Sequence, residues 1–497
     1  MLEKLADKRS WLVLAAILLL GLFLRTYCLT CESLWLDEGF SVEWASKDPA
    51  GIITSASSDV HTPFYFLLLH YWMGLFGSSE AAIRSLSLIF SFLSILIIYR
   101  IGESLFDKKI GLLSSLFMAL STFHIYFAQE ARPYALVIFL TLLSMLYFQR
   151  HLESNSKRDT LLYIILTSLM FYTHIFGLFI ILAQNMFVFS IRTRKPIREL
   201  LKWIKVQTIL FIVILPWFLI ILFRLSDLIG NQSVIGWLPA PSLLYILGTF
   251  GEYFGYYYVY PWEGLSTSLP NIISIISAIV AFIVLCLVAN SLIEIRDKRI
   301  ILPEKNRKKL YMLVLWLFVP ILVPLIISLT IKPIFWPRFT IIASPAFYIL
   351  ASVGINKINR KHVRIILIAV IISMSMVNAY RLHTDINKEQ WREAAGIIQE
   401  MSLDNDILVY YQFFTINGPI DYYLDTSKYA EIGISDNNFN QTDFSSIASH
   451  TNIWLIFSHI MERTGTEQAI IETVNKTHHH ELSEYLEGVD VHLYRRR

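Results

Sequence analysis

Charge is what this sequence has least of. Only 16% of its 497 residues are Asp, Glu, Lys or Arg, where a soluble domain carries about 25%. Hydrophobic residues make up 55% and aromatic residues 14%, with a mean hydropathy of +0.53. That balance excludes an ordinary soluble protein and points to a polytopic α-helical membrane protein. The formal net charge is only +3 and no strongly basic tract is present, so nothing suggests a nucleic-acid partner. Cysteine is scarce as well: Cys28, Cys31 and Cys286. Cys28-x-x-Cys31 has no second pair with which to build a structural zinc site. It is read as two small interfacial residues rather than as a disulfide. No internal repeat is visible. No small-residue cleavage site follows the first apolar run, which is read as a retained anchor.

What the chain has in abundance is long apolar runs. Crossing the hydrocarbon takes about 20 mostly apolar residues. Runs of that kind fall at 11–27, 81–100, 110–128, 133–149, 161–175, 176–191, 203–223, 270–293, 310–330, 338–354 and 364–380. They predict about eleven transmembrane helices, with 161–191 folded as a tight hairpin around Thr173-His174. Six short connections rich in Lys and Arg, from Lys4–Arg9 to Lys357–Arg364, then lie on one side. The positive-inside rule makes that side cytoplasmic. The expected topology is a multi-pass plasma-membrane protein with its N-terminus inside and its C-terminus outside. The outer side then holds a first loop at 28–80, a second at 224–269 and a tail at 381–497. The sequons at Asn231, Asn440 and Asn475 all fall on it. Within the first loop, His61–Gly77 is apolar and aromatic but too short to span, and it is read as an interfacial helix.

The tail reads differently. Segments 406–411, 429–434, 452–458 and 489–495 are strand-like. Segments 390–401, 442–450 and 467–477 are helix-like. Such alternation predicts a small extracytoplasmic α/β domain, following a membrane domain over 1–380. The run His478-His479-His480 is read as a solvated turn rather than a metal site.

The few charges in the apolar part are concentrated at the outer ends of the predicted spans. WLDEGFS supplies Asp37 and Glu38, followed by His61 and then by Arg84 at the start of the second span. FAQEARPYAL supplies Glu130, Arg132 and Tyr134; the hairpin tip supplies His174; KPIFWPRF supplies Lys332 and Arg338. Ionised groups at that depth are costly and face a protein interior or a wet cavity. A carboxylate there can take a proton from an attacking hydroxyl, and guanidinium groups can hold a phosphate. A lipid phosphate carrying a transferable group is the substrate that fits both. Aromatic residues within 253–262 could pack on a sugar ring.

These motifs, with HTPFYFLLLHYW, YTHIFGL and WPRFTIIASPAFYIL, resemble the membrane glycosyltransferases of the C-type fold. More narrowly, the chain is similar to family 39, related to protein O-mannosyltransferases and aminoarabinose transferases. The resemblance runs over about residues 11–380 and implies a polyprenyl- or dolichyl-phosphate sugar donor and inverting transfer. The acceptor would be a hydroxyl of a glycan, lipid or protein. It implies Asp37 as general base, Glu38 as orienting the acceptor or supporting Asp37, and Glu130 as the second acidic position. Arg132 and Arg338 would hold the donor phosphate, with Lys332 and Arg84 nearby, and His61, Tyr134 and His174 would line the pocket. No metal is required for a leaving phosphate held by cations, although some related enzymes use a divalent ion at acidic loop residues. Loop 224–269 is too short for the β-trefoil insertion of eukaryotic protein mannosyltransferases. The alternative is a transporter or flippase for an anionic lipid-linked glycan, which would place charges near mid-bilayer in broken helices.

Overall fold

The computed structural model describes residues 2–59, 61–154, 156–192, 197–224, 238–253, 272–296, 299–301, 306–386, 388–411, 418–436, 438–458 and 465–497. Asn231 and the aromatic residues at 254–262 lie outside them. The chain opens with α1 (Leu2–Thr26). Three short helices follow, α2 (Leu36–Ser46), α3 (Pro49–Ser57) and α4 (Phe64–Phe76). Next come α5 (Glu80–Leu105), α6 (Lys108–Leu120), α7 (Thr122–Ala128) and α8 (Tyr134–Ser154). The hairpin expected at 161–191 is α9 (Lys157–Thr173) and α10 (Gly177–Arg192), turning at His174, and α11 (Ile197–Phe223) follows. Several starts are written in the sequence as side-chain caps. Ser79, Asp107 and Ser156 accept from Ala82, Ile110 and Asp159 amides at 3.3, 2.9 and 3.0 Å, satisfying helix donors that have no partner within the helix.

Beyond α11, helices run at Leu243–Tyr253, Ile272–Leu292, Arg307–Thr330, Ser344–Asn356 and Lys361–Thr384. A 3-10 turn at Pro337–Ala343 leads into Ser344–Asn356. A short antiparallel hairpin, β1 (Glu294–Arg296) with β2 (Arg299–Ile301), lies between two of them. By length and composition, seven helices among the described residues can cross a membrane, or eight if α6 and α7 form one bent span. The helix through Pro337–Asn356 is central, with 89% of its apolar window buried. α1, α11 and Lys361–Thr384, at 22–28%, present apolar side chains outward, as lipid-facing helices do.

The run at 110–128 is not one straight helix. It breaks at Ser121 with a bend of 60°. The break leaves carbonyls at the end of α6 without helical partners. Arg25, fully buried, donates to the Met118 and Ala119 carbonyls at 3.0 Å each and to Ser91 Oγ at 2.8 Å. A cation at a helix C-terminus also suits the dipole. α5 and α6 cross where Gly102 faces Gly111; a Cβ on Gly102 would meet Gly111 Cα at 2.8 Å. Only glycine permits so close a backbone approach.

The C-terminal segment forms a five-stranded sheet in the order β4-β3-β5-β7-β6. Its strands are β3 (Ile407–Tyr411), β4 (Ala430–Ile434), β5 (Asn452–Ser458), β6 (His478–Leu486) and β7 (Val489–Arg496). β4, β3 and β5 are parallel, whereas β7 runs antiparallel to β5 and β6. The alternation in β5 explains the layers. Trp454 and Ile456 pack with Trp391 and Ile398 of the helix Trp391–Met401. Ile453, Leu455 and Phe457 pack with Ile470 and Val474 on the opposite face. The triple histidine does not form a turn: it begins β6, and His478 is buried with Nε2 3.1 Å from the His450 carbonyl oxygen. The polar composition of β6 is that of an edge strand, which hides its strand character. Cys28 and Cys31 are joined in a disulfide, against the reading of two separate residues. Cys28 adopts a positive φ of 59°, and the resulting turn brings the two Cα atoms to 5.0 Å, within bridging range.

Candidate active site

The acidic pair in WLDEGFS begins α2, and its two members point to different places. Asp37 is partly open, with 22% of its side chain exposed. Its Oδ2 lies 3.3 Å from Arg338 Nη1 and 3.7 Å from Arg132 Nε. Arg132, in the turn between α7 and α8, is fixed by its other nitrogens. Nη1 donates to the Asp37 carbonyl and to Ser41 Oγ at 3.0 Å each, and Nη2 donates to His61 Nε2 at 2.9 Å. Because arginine can only donate, that imidazole nitrogen accepts, and Nδ1–H is left to donate to Asp59 Oδ1 at 3.0 Å. Arg338 comes from the 3-10 turn, its guanidinium 5.9 Å from the Trp35 ring, 6.0 Å from Tyr134 and 5.6 Å from Phe339. Aromatic faces favour a cation at such distances. His174 extends the same wall, 5.8 Å from Tyr134 and 5.6 Å from Phe339 between ring centres.

Glu38 is fully buried. Arg84 grips it with two bonds, Nε to Oε1 at 2.9 Å and Nη2 to Oε2 at 2.7 Å. Lys388 Nζ adds a third at 3.0 Å and the Ala131 amide a fourth at 2.9 Å. Burial alone would push this carboxyl up; Arg84 and Lys388 outweigh it and hold it at about 2. The remaining Arg84 N–H groups reach the carbonyls of Leu29, Glu32 and Ser33, each at 2.9 Å. All five guanidinium donors are therefore occupied within the protein. Arg84 and Glu38 together form an internal ion cluster, and neither is turned toward the partly open Asp37.

Glu130 is also fully buried, with Lys388 Nζ 3.8 Å away. Burial raises its carboxyl to about 7, against the opposing pull of Lys388. An acid raised from its ordinary 4.5 contributes stability below that value and loses it as pH rises through 7. Glu130→Gln is therefore expected to remove a stability change on the order of 3 kcal/mol between those pH values. Thermal unfolding of both proteins across pH 4.5–8 checks this; parallel curves would disprove it. Lys332 is half-buried in the segment leading to Arg338.

Two residues escaped the sequence reading. Lys388 lies far along the chain in an unremarkable polar stretch, and no local pattern marks it. Glu252, near the end of the helix Leu243–Tyr253, has a buried carboxylate oxygen; burial raises it to about 8 and Arg338 opposes the shift. It is the sole acid between Asp227 and Glu263, a signal the surrounding aromatic residues obscured. The residues do not fit a divalent ion, since Asp37 and Glu38 are turned to cations rather than to each other. Among the described residues no three metal-ligating groups converge.

Solved structures share this architecture. ArnT from Cupriavidus metallidurans in the apo state matches with a TM-score of 0.59 at 11% identity, over 98% of each chain. The same protein bound to undecaprenyl phosphate matches at 0.58 and 12%, over 97% of this chain and 98% of that one. The archaeal oligosaccharyltransferase AglB from Archaeoglobus fulgidus, in complex with an inhibitory peptide and a dolichol-phosphate, gives 0.54 at 11% identity. That match covers 98% of this chain and 74% of that one. The fold is therefore that of the C-type membrane glycosyltransferases. Within it, residues 60–220 match the family model for dolichyl-phosphate-mannose-protein mannosyltransferase, so the resemblance to family 39 holds. No curated protein matches the sequence.

Proposed function

We propose that this protein is an inverting glycosyltransferase that moves a sugar from a polyprenyl- or dolichyl-phosphate donor to an acceptor hydroxyl outside the cytoplasm. The observation that carries this reading is the convergence of Asp37 Oδ2 with Arg338 at 3.3 Å and Arg132 at 3.7 Å. They come from three distant stretches of chain, and the carboxylate is partly open. In the proposed reaction Asp37 takes the proton of the acceptor hydroxyl. The acceptor hydroxyl oxygen attacks the anomeric carbon in line, the bond from that carbon to the phosphate oxygen breaks, and the lipid phosphate leaves with the electron pair. Arg132 and Arg338 neutralise the charge that develops there. Tyr134, His174 and His61 line the approach, with Lys332 beside it. Glu38 and Arg84 hold α2 in place and touch no substrate. We place residues 1–380 in the membrane unit and 381–497 outside, with eleven spans and the N-terminus in the cytoplasm. A flippase calls for charges at mid-span, whereas these groups sit at helix ends.

The test is release of labelled sugar by the purified protein in liposomes. The donors are dolichyl-phosphate-mannose and a panel of undecaprenyl-phosphate-linked sugars. At least one donor is expected to lose its label to an acceptor; if no donor does, the reading falls. With the active donor, Arg338→Ala is expected to raise donor KM about 10- to 100-fold, the scale of a lost charged hydrogen bond. An unchanged KM would remove Arg338 from the site.

A further inference from the structure

α2 carries Asp37 but does not cap itself: Trp35, at the N-cap position, makes no side-chain bond to the helix. Its first amide, Leu36 N–H, donates instead to Glu389 Oε2 at 3.1 Å. That carboxylate lies 353 positions further along the chain. A carboxylate at this end answers both an orphan donor and the helix dipole. The neighbouring residues are tied the same way. Ser33 Oγ donates to the Glu389 carbonyl, and the Leu34 amide donates to Tyr423 Oη at 2.7 Å. Glu32 Oε1 accepts the Lys388 amide at 3.1 Å. One turn into the helix, Gly39 lies directly beneath Pro419, where a Cβ would come within 2.8 Å of the Pro419 nitrogen.

Glu389 is itself rigidly seated. Trp391 Nε1 donates to the same Oε2. Gly488, in the turn between β6 and β7, presses on its side chain; a Cβ there would meet Glu389 Cγ at 2.6 Å. Gly488 also has a φ of 69°, a conformation glycine adopts at little cost. The Gln390 amide donates to the Glu487 carbonyl and the Glu487 amide to Gln390 Oε1, each at 3.0 Å. The chain of contacts runs from the sheet, through Glu389, to the residue before Asp37.

We propose that the C-terminal module is a working part of the active site, and that Glu389 is a positioning residue that sets the Asp37 carboxylate against Arg132 and Arg338 by capping α2. The proposal rests on the reading of Asp37 as the base. Displacing a reacting group by about 1 Å costs on the order of 100-fold in rate, so a loosened α2 start shows in turnover before it shows in binding.

The test uses the full-length protein with the active donor identified above. Glu389→Ala is expected to lower kcat about tenfold or more, with donor KM within about twofold and the melting midpoint near wild type. Glu389→Gln keeps an oxygen where Leu36 and Trp391 both donate, and is expected to retain near-wild-type kcat. Tyr423→Phe, which removes the acceptor for Leu34, is expected to lower kcat in the same direction; it carries the test with Glu389→Gln if the alanine variant does not fold. Unchanged kcat in Glu389→Ala, equal losses in Ala and Gln, or a loss confined to KM each overturn the proposal. With an unfolded alanine variant, unchanged kcat in Tyr423→Phe overturns it. Asp37→Asn, run in parallel, separates the two ideas. If it is inactive while Glu389→Ala is normal, only the positioning role fails; if it is active, the base assignment itself fails.

Discussion

Asp37→Asn is expected to lower sugar transfer by 10²- to 10⁴-fold, the contribution of a positioned general base, while donor binding stays close to wild type. The substitution keeps the volume of the side chain and removes its negative charge, and with it both the ability to take a proton and the ion pairs to Arg338 and Arg132. Arg132 remains held by Ser41 Oγ at 3.0 Å, by the Asp37 carbonyl at 3.0 Å and by His61 at 2.9 Å. Arg338 keeps its place among Trp35, Tyr134 and Phe339. The groups proposed to hold the phosphate thus keep these contacts through the change. Measuring kcat and polyprenyl phosphate binding separately reads the two effects apart. Full turnover in the variant would show that the proton goes elsewhere.

The neighbouring substitution should behave in the opposite way. Glu38→Gln removes the counter-charge of Arg84 and Lys388, which are 1% and 5% exposed. Arg84 and Lys388 would then lose the carboxylate that joins them, with Glu130 still 3.8 Å from Lys388. Breaking a buried ion pair from one side costs roughly 3–5 kcal/mol. The expected result is a large fall in the melting midpoint and in folded yield, measured by thermal unfolding in detergent or lipid discs. Asp37→Asn should show no such fall. A Glu38→Gln protein of normal stability would mean that the Arg84 cluster is not what anchors α2. On the proposed reading, the adjacent acids of one motif divide the work, with partly open Asp37 at the chemistry and buried Glu38 in the frame.

That division marks how far the sequence could be read. The positions of Asp37, Arg132 and Arg338 at the ends of apolar runs mark them as costly charges, and the folded chain brings these three together. Nothing in WLDEGFS tells Asp37 from Glu38, because successive residues of a helix point about 100° apart and the direction of α2 is set by its partners. Those partners include Lys388 and Glu389, which no spacing rule connects to residue 38. The apolar runs likewise mark helices well. They do not show the break at Ser121, nor that Arg25, a cation inside the first run, donates to the carbonyls at the end of α6. In the C-terminal segment the apolar strands β3, β4, β5 and β7 were legible and β6, a polar edge, was not.

The most direct test of the proposed site is a structure of the full chain with dolichyl phosphate bound. The predicted result is a phosphate within about 3 Å of the Arg338 and Arg132 guanidinium nitrogens, with Asp37 facing the side from which an acceptor enters. A phosphate seated elsewhere, with Asp37 and Arg338 still closed on each other, would contradict it.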